Sequence, residues 1–304
     1  MVFADLKNDY VFRRIFAKHP DILRGLLNDL LDRRGDHAIE AIEYLPSEQL
    51  PIVDGWKLSI LDVRCRDRAG TTFVVEMQLL HVAGFMNRVV YNACKAYVGQ
   101  LKRGELYATL TDVVAISICD FILWPDAEQD DAKLPRIPML SRWNMTERAS
   151  GNRGLLQVQY AFLELPKLRE GRPETGADLW AWLFVHAPEM TEIPADLPPG
   201  AYRAAVELAN EATFTDLELD AYQRVMDEIQ QAREYGEAKE AKGEAKGEAK
   251  GKAKAIVAVL EARGIVVGSE ARACIAACAD GAILDRWIAH AVVATSAEDV
   301  ITAT

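Results

Sequence analysis

The chain has 304 residues, half of them apolar, with a formal net charge of −11. That length suits one large domain or two ordinary ones with a sizeable core. No apolar run approaches the ~18–20 residues of a membrane span, and the acidic balance counts against an overall electrostatic grip on nucleic acid.

The charge is uneven. Residues 1–110 hold 15 Lys+Arg against 14 Asp+Glu and the remainder 20 against 32, so the first third repels a polyanion least. The opening MVFADLKNDYVFRR has no apolar signal stretch. The five cysteines (Cys65, Cys94, Cys119, Cys274, Cys278) are odd in number, scattered and mostly in apolar surroundings. Together these features predict a cytoplasmic protein with reduced core thiols and no disulfide framework.

In chain order, DLKNDYVFRRIFAK (5–18) carries apolar residues at helical spacing, with Asp5 as a candidate cap. Asp21 can cap a second helix that stops near Gly35. AIEAIEYL (38–45) is strand-like, and Pro46 and Pro51 mark a loop. SILDVRCRD (59–67) and TTFVVEMQLL (71–80) read as a β-hairpin. Gly84 to Gly104 reads as one long helix, and DVVAISICDFIL (112–123) as a buried strand.

Residues 124–154, rich in Pro, Asp and Arg, read as an irregular excursion before the strand LLQVQYAFLEL (155–165). Helices then dominate from 175 onward. EAKEAKGEAKGEAKGKAK (237–254) repeats with period four. Glycine costs ~1 kcal/mol per helical position, so this segment is a solvated linker or a marginal helix. The tail reads as a small helical bundle.

The hairpin carries the informative chemistry, because Asp62 and Glu76 interrupt apolar runs where a charge needs a partner or a metal. If its loop is Arg68-Ala69-Gly70, paired residue numbers sum to 138. Asp62 then faces Glu76, Ile60 faces Gln78, and Asp62, Glu76 and Gln78 share one face. Opposed Cβ atoms lie ~5 Å apart, and two carboxylates at that distance repel unless a proton or cation sits between them. A two-residue loop would put them on opposite faces. Hard oxygen ligands at this separation suit Mg²⁺ or Mn²⁺. The bland alternative is a solvated face, with Arg64 and Arg66 neutralising the carboxylates across the strands.

NDYVFRRIF (8–16), LDVRCRD, VVEMQ, NRVVYNACKAYVGQLKRGELY (87–107), VVAISICDFIL and FLELPKL, in that order, resemble the Rpn family of recombination-promoting nucleases, also labelled transposases, within the PD-(D/E)XK nuclease superfamily. The resemblance covers nearly the whole chain. It implies an α/β core of a mixed sheet flanked by helices over 1–168, a helical extension over 169–236, the repeat linker at 237–254 and a C-terminal helical segment at 255–304. It also implies a metal-dependent DNA endonuclease. Asp62 and Glu76 are then the acidic ligands, and Asp9 a further ligand or a residue that holds the geometry. Gln78 stands where the superfamily has a lysine; it can position water or phosphate but brings no charge.

On the following helix Arg88, Lys95 and Lys102 are spaced by seven, with Tyr91 beside them. They form a candidate basic stripe for the DNA backbone, Arg88 and Tyr91 also matching the family pattern. The helical tail is the expected place for homo-oligomer assembly or DNA contact. No His or Cys spacing suggests zinc, and Trp180, Trp182 and Phe184 read as core. The competing reading is a nuclease-fold protein that cleaves slowly or not at all and acts by binding DNA or by protein association.

Overall fold

The computed structural model describes residues 2–49, 59–126, 135–173 and 175–302. Pro51 and residues 127–134 of the expected excursion lie outside the described residues. The chain forms two compact units, residues 1–228 and 229–304.

In the first unit, α1 (Asp9–Phe16) and α2 (Pro20–Leu30) open the chain. The cap of α1 is Asn8, whose side chain accepts from the Tyr10 and Val11 amides, rather than Asp5. α2 starts on Pro20, whose fixed φ suits a first helical position, with His19 rather than Asp21 before it. Strands β1 (Ile42–Tyr44), β4 (Val63–Asp67), β5 (Thr72–Gln78), β6 (Val113–Cys119), β7 (Leu140–Thr146) and β8 (Arg153–Glu164) form one sheet in the order β1-β4-β5-β6-β8-β7. β5, β6 and β8 run parallel and the outer pairs antiparallel. Helix α3 (Phe85–Val98) makes the crossover from β5 to β6.

The sheet buries both faces, with different partners. Val63, Cys65, Phe73, Val75 and Met77 face the core made with α1, α2, α4 (Gly176–His186) and α5 (Ala201–Leu208). There Trp180, Phe184, Phe12 and Phe16 are fully buried, each contributing about 1.5–3 kcal/mol on removal from water. Val74 and Ala115 face Phe85, Val89, Ala93 and Ala96 of α3. β5 and β6 therefore read as apolar on both faces, as parallel central strands must, and Glu76 stands out against that background.

Three expected elements differ. The strand expected over 59–67 breaks at Leu61–Asp62: β3 (Ser59–Ile60) pairs with β2 (Glu48–Gln49) in a separate two-stranded sheet, so Ile60 faces Glu48 and not Gln78. The helix expected to reach Gly104 ends at Val98, because the Gln100 amide bonds both the amide and the carbonyl of Thr111 (2.9 and 3.0 Å) and draws the chain towards β6. The excursion contains β7, held by β8 in spite of its polar sequence.

Helix α6 (Asp216–Ala262) begins in the first unit, and the repeat 237–254 is helical along its length. In the second unit the end of α6 and helices α7 (Ser269–Ala277), α8 (Gly281–Ala291) and α9 (Ala297–Ile301) enclose Ile256, Leu260, Ile275, Leu284 and Val300. All five cysteines are free thiols. Cys65 and Cys119 are core residues as expected, but Cys94 and Cys274 are exposed, because each falls on the outer side of its amphipathic helix. No helix among the described residues is long and apolar enough to cross a membrane.

Candidate active site

The β4–β5 loop is Arg68-Ala69-Gly70, with Gly70 at φ +93° and the Thr71 amide donating to the Asp67 carboxylate at 2.9 Å. The ladder pairs Val63 with Val75, Arg64 with Val74, Cys65 with Phe73 and Arg66 with Thr72. Every pair sums to 138, so Asp62 and Glu76 meet one step beyond its end. There the chain turns away into β3, and the Asp62 carboxylate takes over as partner of the strand edge: its Oδ2 accepts from the Met77 amide at 2.9 Å. Asp62 is thus fixed by the same departure that ends the strand.

Its other oxygen is also engaged. Arg13, on α1, donates to Asp62 Oδ1 from Nη2 at 2.8 Å and from Nε at 3.3 Å. Glu76 is 9% exposed and makes no ion pair among the described residues; its Oε1 accepts from Asn92 Nδ2 of α3 at 2.9 Å. Burial pushes the Glu76 carboxyl above its ordinary range and the nearby Asp62 charge adds to this, while the Arg88 charge and the Asn92 hydrogen bond oppose it. Gln78 donates to the Leu80 carbonyl at 3.0 Å and accepts from the Arg88 guanidinium. Gln78 is therefore a neutral amide that carries an arginine behind it.

Asp9 lies exposed on the first turn of α1. Its carboxyl is raised by partial loss of water contact, then by Asp62, with Arg13 opposing and Glu228 adding. It neighbours the pair, but no group of three or more His, Cys, Asp or Glu side chains gathers as a metal set among the described residues.

The expected basic stripe is not one surface. Arg88 is half-buried against Gln78 and the Phe85 ring. Tyr91 is exposed, with the Lys95 ammonium 5.7 Å from its ring centre, within cation–π reach. Lys95 itself is 7% exposed, and burial lowers its pKa. Lys102 lies in the loop after α3, off the helix altogether. The cross-strand ion pairs of the alternative reading do not form among the described residues: Arg66 pairs with Glu43, and Arg64 pairs with neither Asp62 nor Glu76.

Two site residues escape a reading by motif. Asn92 follows Arg88 by one helical turn, a spacing that could have flagged it. Arg13 reaches Asp62 across 49 positions, and nothing local announces that.

The donor set fits a hard divalent cation. It consists of two carboxylates, one of them buried and in no ion pair among the described residues. A two-carboxylate site is where Mg²⁺ keeps water and substrate oxygens as its remaining ligands.

No curated protein and no solved structure matches the sequence. A family profile described as PD-(D/E)XK nuclease family transposase matches residues 6–235, which includes every residue of the site. With this match and a mixed sheet whose antiparallel hairpin carries the paired acids, the chain belongs to the PD-(D/E)XK nuclease family transposases.

Proposed function

We propose that the protein is a divalent-metal-dependent endodeoxyribonuclease that hydrolyses phosphodiester bonds in recombination or mobile-DNA processing. The observation that carries this reading is the placement of buried Glu76 beside Asp62 at the open end of the β4–β5 ladder. Asp62 and Glu76 would hold Mg²⁺ or Mn²⁺, with Asp9 acting nearby on the charge and hydration of the pair. The bound cation would lower the pKa of a water and neutralise charge on the scissile phosphate.

The chain's own residues supply the rest. The Met77 amide orients Asp62 and Asn92 orients Glu76. Gln78 offers a hydrogen bond to water or phosphate, and Arg88 lends it the charge it lacks. Tyr91 stands exposed beside Arg88 on α3 as a contact for the DNA backbone, and Lys102 would act as a further contact from the loop after α3.

Supercoiled plasmid cleavage with Mg²⁺, Mn²⁺ or EDTA tests this reading, comparing wild type with Asp62→Ala and Glu76→Ala after circular dichroism has shown each to be folded. Metal-dependent nicking that disappears in both variants is expected. Cleavage that survives both would place the activity elsewhere.

One observation favours a second reading. Arg13 already occupies Asp62, and the lysine position is uncharged, which suits a protein that binds DNA and cleaves it slowly or not at all. Folded wild type that binds but never nicks DNA would select that reading.

A further inference from the structure

We propose that Arg64 is a phosphate-binding residue of the site, holding the DNA backbone beside the scissile position whether or not a metal is present. The proposal deepens the nuclease reading and takes its substrate class from it.

Arg64 lies in the middle of β4, paired with Val74. Its pairing with Val74 and the alternation along β5 put it on the face of Glu76, while Asp62 lies just beyond the end of β4. Two residues of strand span ~7 Å, so Arg64 sits one step back from the carboxylate pair, next to the reaction and not on it. Its side chain is half-buried, and its Nε is shielded from solvent without a hydrogen-bond partner. A guanidinium keeps its charge under all conditions in a protein, and a charge held away from water needs a counter-charge.

Among the described residues none pairs with it. Arg66, two residues on, has Glu43 at 3.2 Å; Asp62 is already taken by Arg13; and Glu76 is hydrogen-bonded to the neutral Asn92. Across the same face Arg88 repeats the situation. Its only polar contact among the described residues is the amide oxygen of Gln78, and its Nε is likewise shielded and unpartnered. Two half-buried guanidiniums, neither in an ion pair among the described residues, therefore flank one acidic pair, Arg88 near enough for its charge to act on Glu76. An anion with several oxygens meets the requirement of both, and a guanidinium fork matches phosphate oxygens in geometry as well as charge.

The test is fluorescence anisotropy of a labelled DNA duplex in EDTA over a range of salt, with wild type, Arg64→Gln and Arg64→Lys. Arg64→Gln is expected to weaken binding about tenfold or more and to flatten the slope of log K against log salt by about 0.9, the value for one phosphate contact. Arg64→Lys is expected to keep the slope and lose a few-fold in affinity, because the fork is gone but the charge remains. Exchange of sodium chloride for sodium phosphate at equal ionic strength should raise the melting temperature of wild type more than that of Arg64→Gln.

Unchanged affinity and slope in Arg64→Gln would overturn the proposal. So would wild-type affinity in Arg64→Lys if Arg64→Gln fails to fold, since Arg64 would then serve the fold alone. Absence of DNA binding by wild type in EDTA would also overturn it while leaving metal-dependent cleavage standing. Arg64-dependent binding with no cleavage in any metal would support it and sink the nuclease reading.

Discussion

Among the described residues the Glu76 carboxylate is held by one hydrogen bond, and it comes from a neutral group. The Asn92 amide fixes the carboxylate without cancelling its charge, leaving it available to a cation. Asn92→Ala removes the orienting bond and leaves a buried acceptor unsatisfied. A supporting group of this kind is worth about 10–100-fold in metal affinity or activity. The expected outcome is a Mg²⁺ titration of plasmid nicking shifted to higher concentration by that factor, with the fold intact by circular dichroism. Asn92→Asp should fare worse, because it adds a third negative charge where two already repel.

The hairpin is the element that carries the proposed site, and its loop sets its register. Gly70 at φ +93° occupies a conformation that L side chains avoid, and a Cβ there would meet Thr111 Cγ2 at 2.8 Å. Gly70→Ala should cost about 1–3 kcal/mol, read as a lower midpoint in denaturant. This register was legible in the sequence because loop length and side-chain alternation decide it locally. The break at Leu61–Asp62 was not, since it follows from pairing with β2 and from an Asp62–Met77 bond that forms only once the sheet is built. The end of α3 was hidden for the same reason, lying with a Gln100–Thr111 contact 11 residues away.

At the junction of α1 and α6, Thr215 and Glu218 exchange backbone and side-chain bonds, while Glu218 also takes Arg14 at 2.7 Å and the Tyr10 hydroxyl at 2.8 Å. These donors, the Thr215 amide first, bring the Glu218 carboxyl down to about 2. A carboxyl lowered on folding contributes stability above its unfolded pKa of 4.5, and that stability is lost as pH falls towards 2. The melting temperature of Glu218→Gln should therefore lie below wild type at pH 6–7 and converge with it as the pH is lowered through that window.

Across the whole molecule, what the sequence disclosed least was the state of its repeat. Glycines at 243, 247 and 251 argue locally against a helix, yet α6 runs through them, anchored by capping contacts at one end and by the buried Ala253, Ile256 and Leu260 at the other. A Cβ at any of the three would meet nothing within 4 Å. Replacing all three by alanine should add up to about 1 kcal/mol of helix stability per position, seen as slower amide exchange along 237–254 and stronger far-ultraviolet ellipticity, with plasmid nicking unchanged. The first unit was more open to reading: its hairpin acids, apolar central strands and buried tryptophan all followed from pattern. The long-range ion pair from Arg13 to Asp62 did not.

That ion pair sets an order of events in the life of the chain. Asp62 has its counter-ion in Arg13 and Glu76 its hydrogen bond from Asn92, so the hairpin is expected to fold without an inorganic cation. Small metal-built domains behave otherwise: they collapse when a chelator strips them. Here excess EDTA should abolish nicking while leaving the thermal transition and near-ultraviolet spectrum in place, and Mg²⁺ added back should restore activity without a refolding lag. If the proposed site binds a cation, the protein can thus be made, folded and stored before that cation arrives, with Arg13 keeping the place.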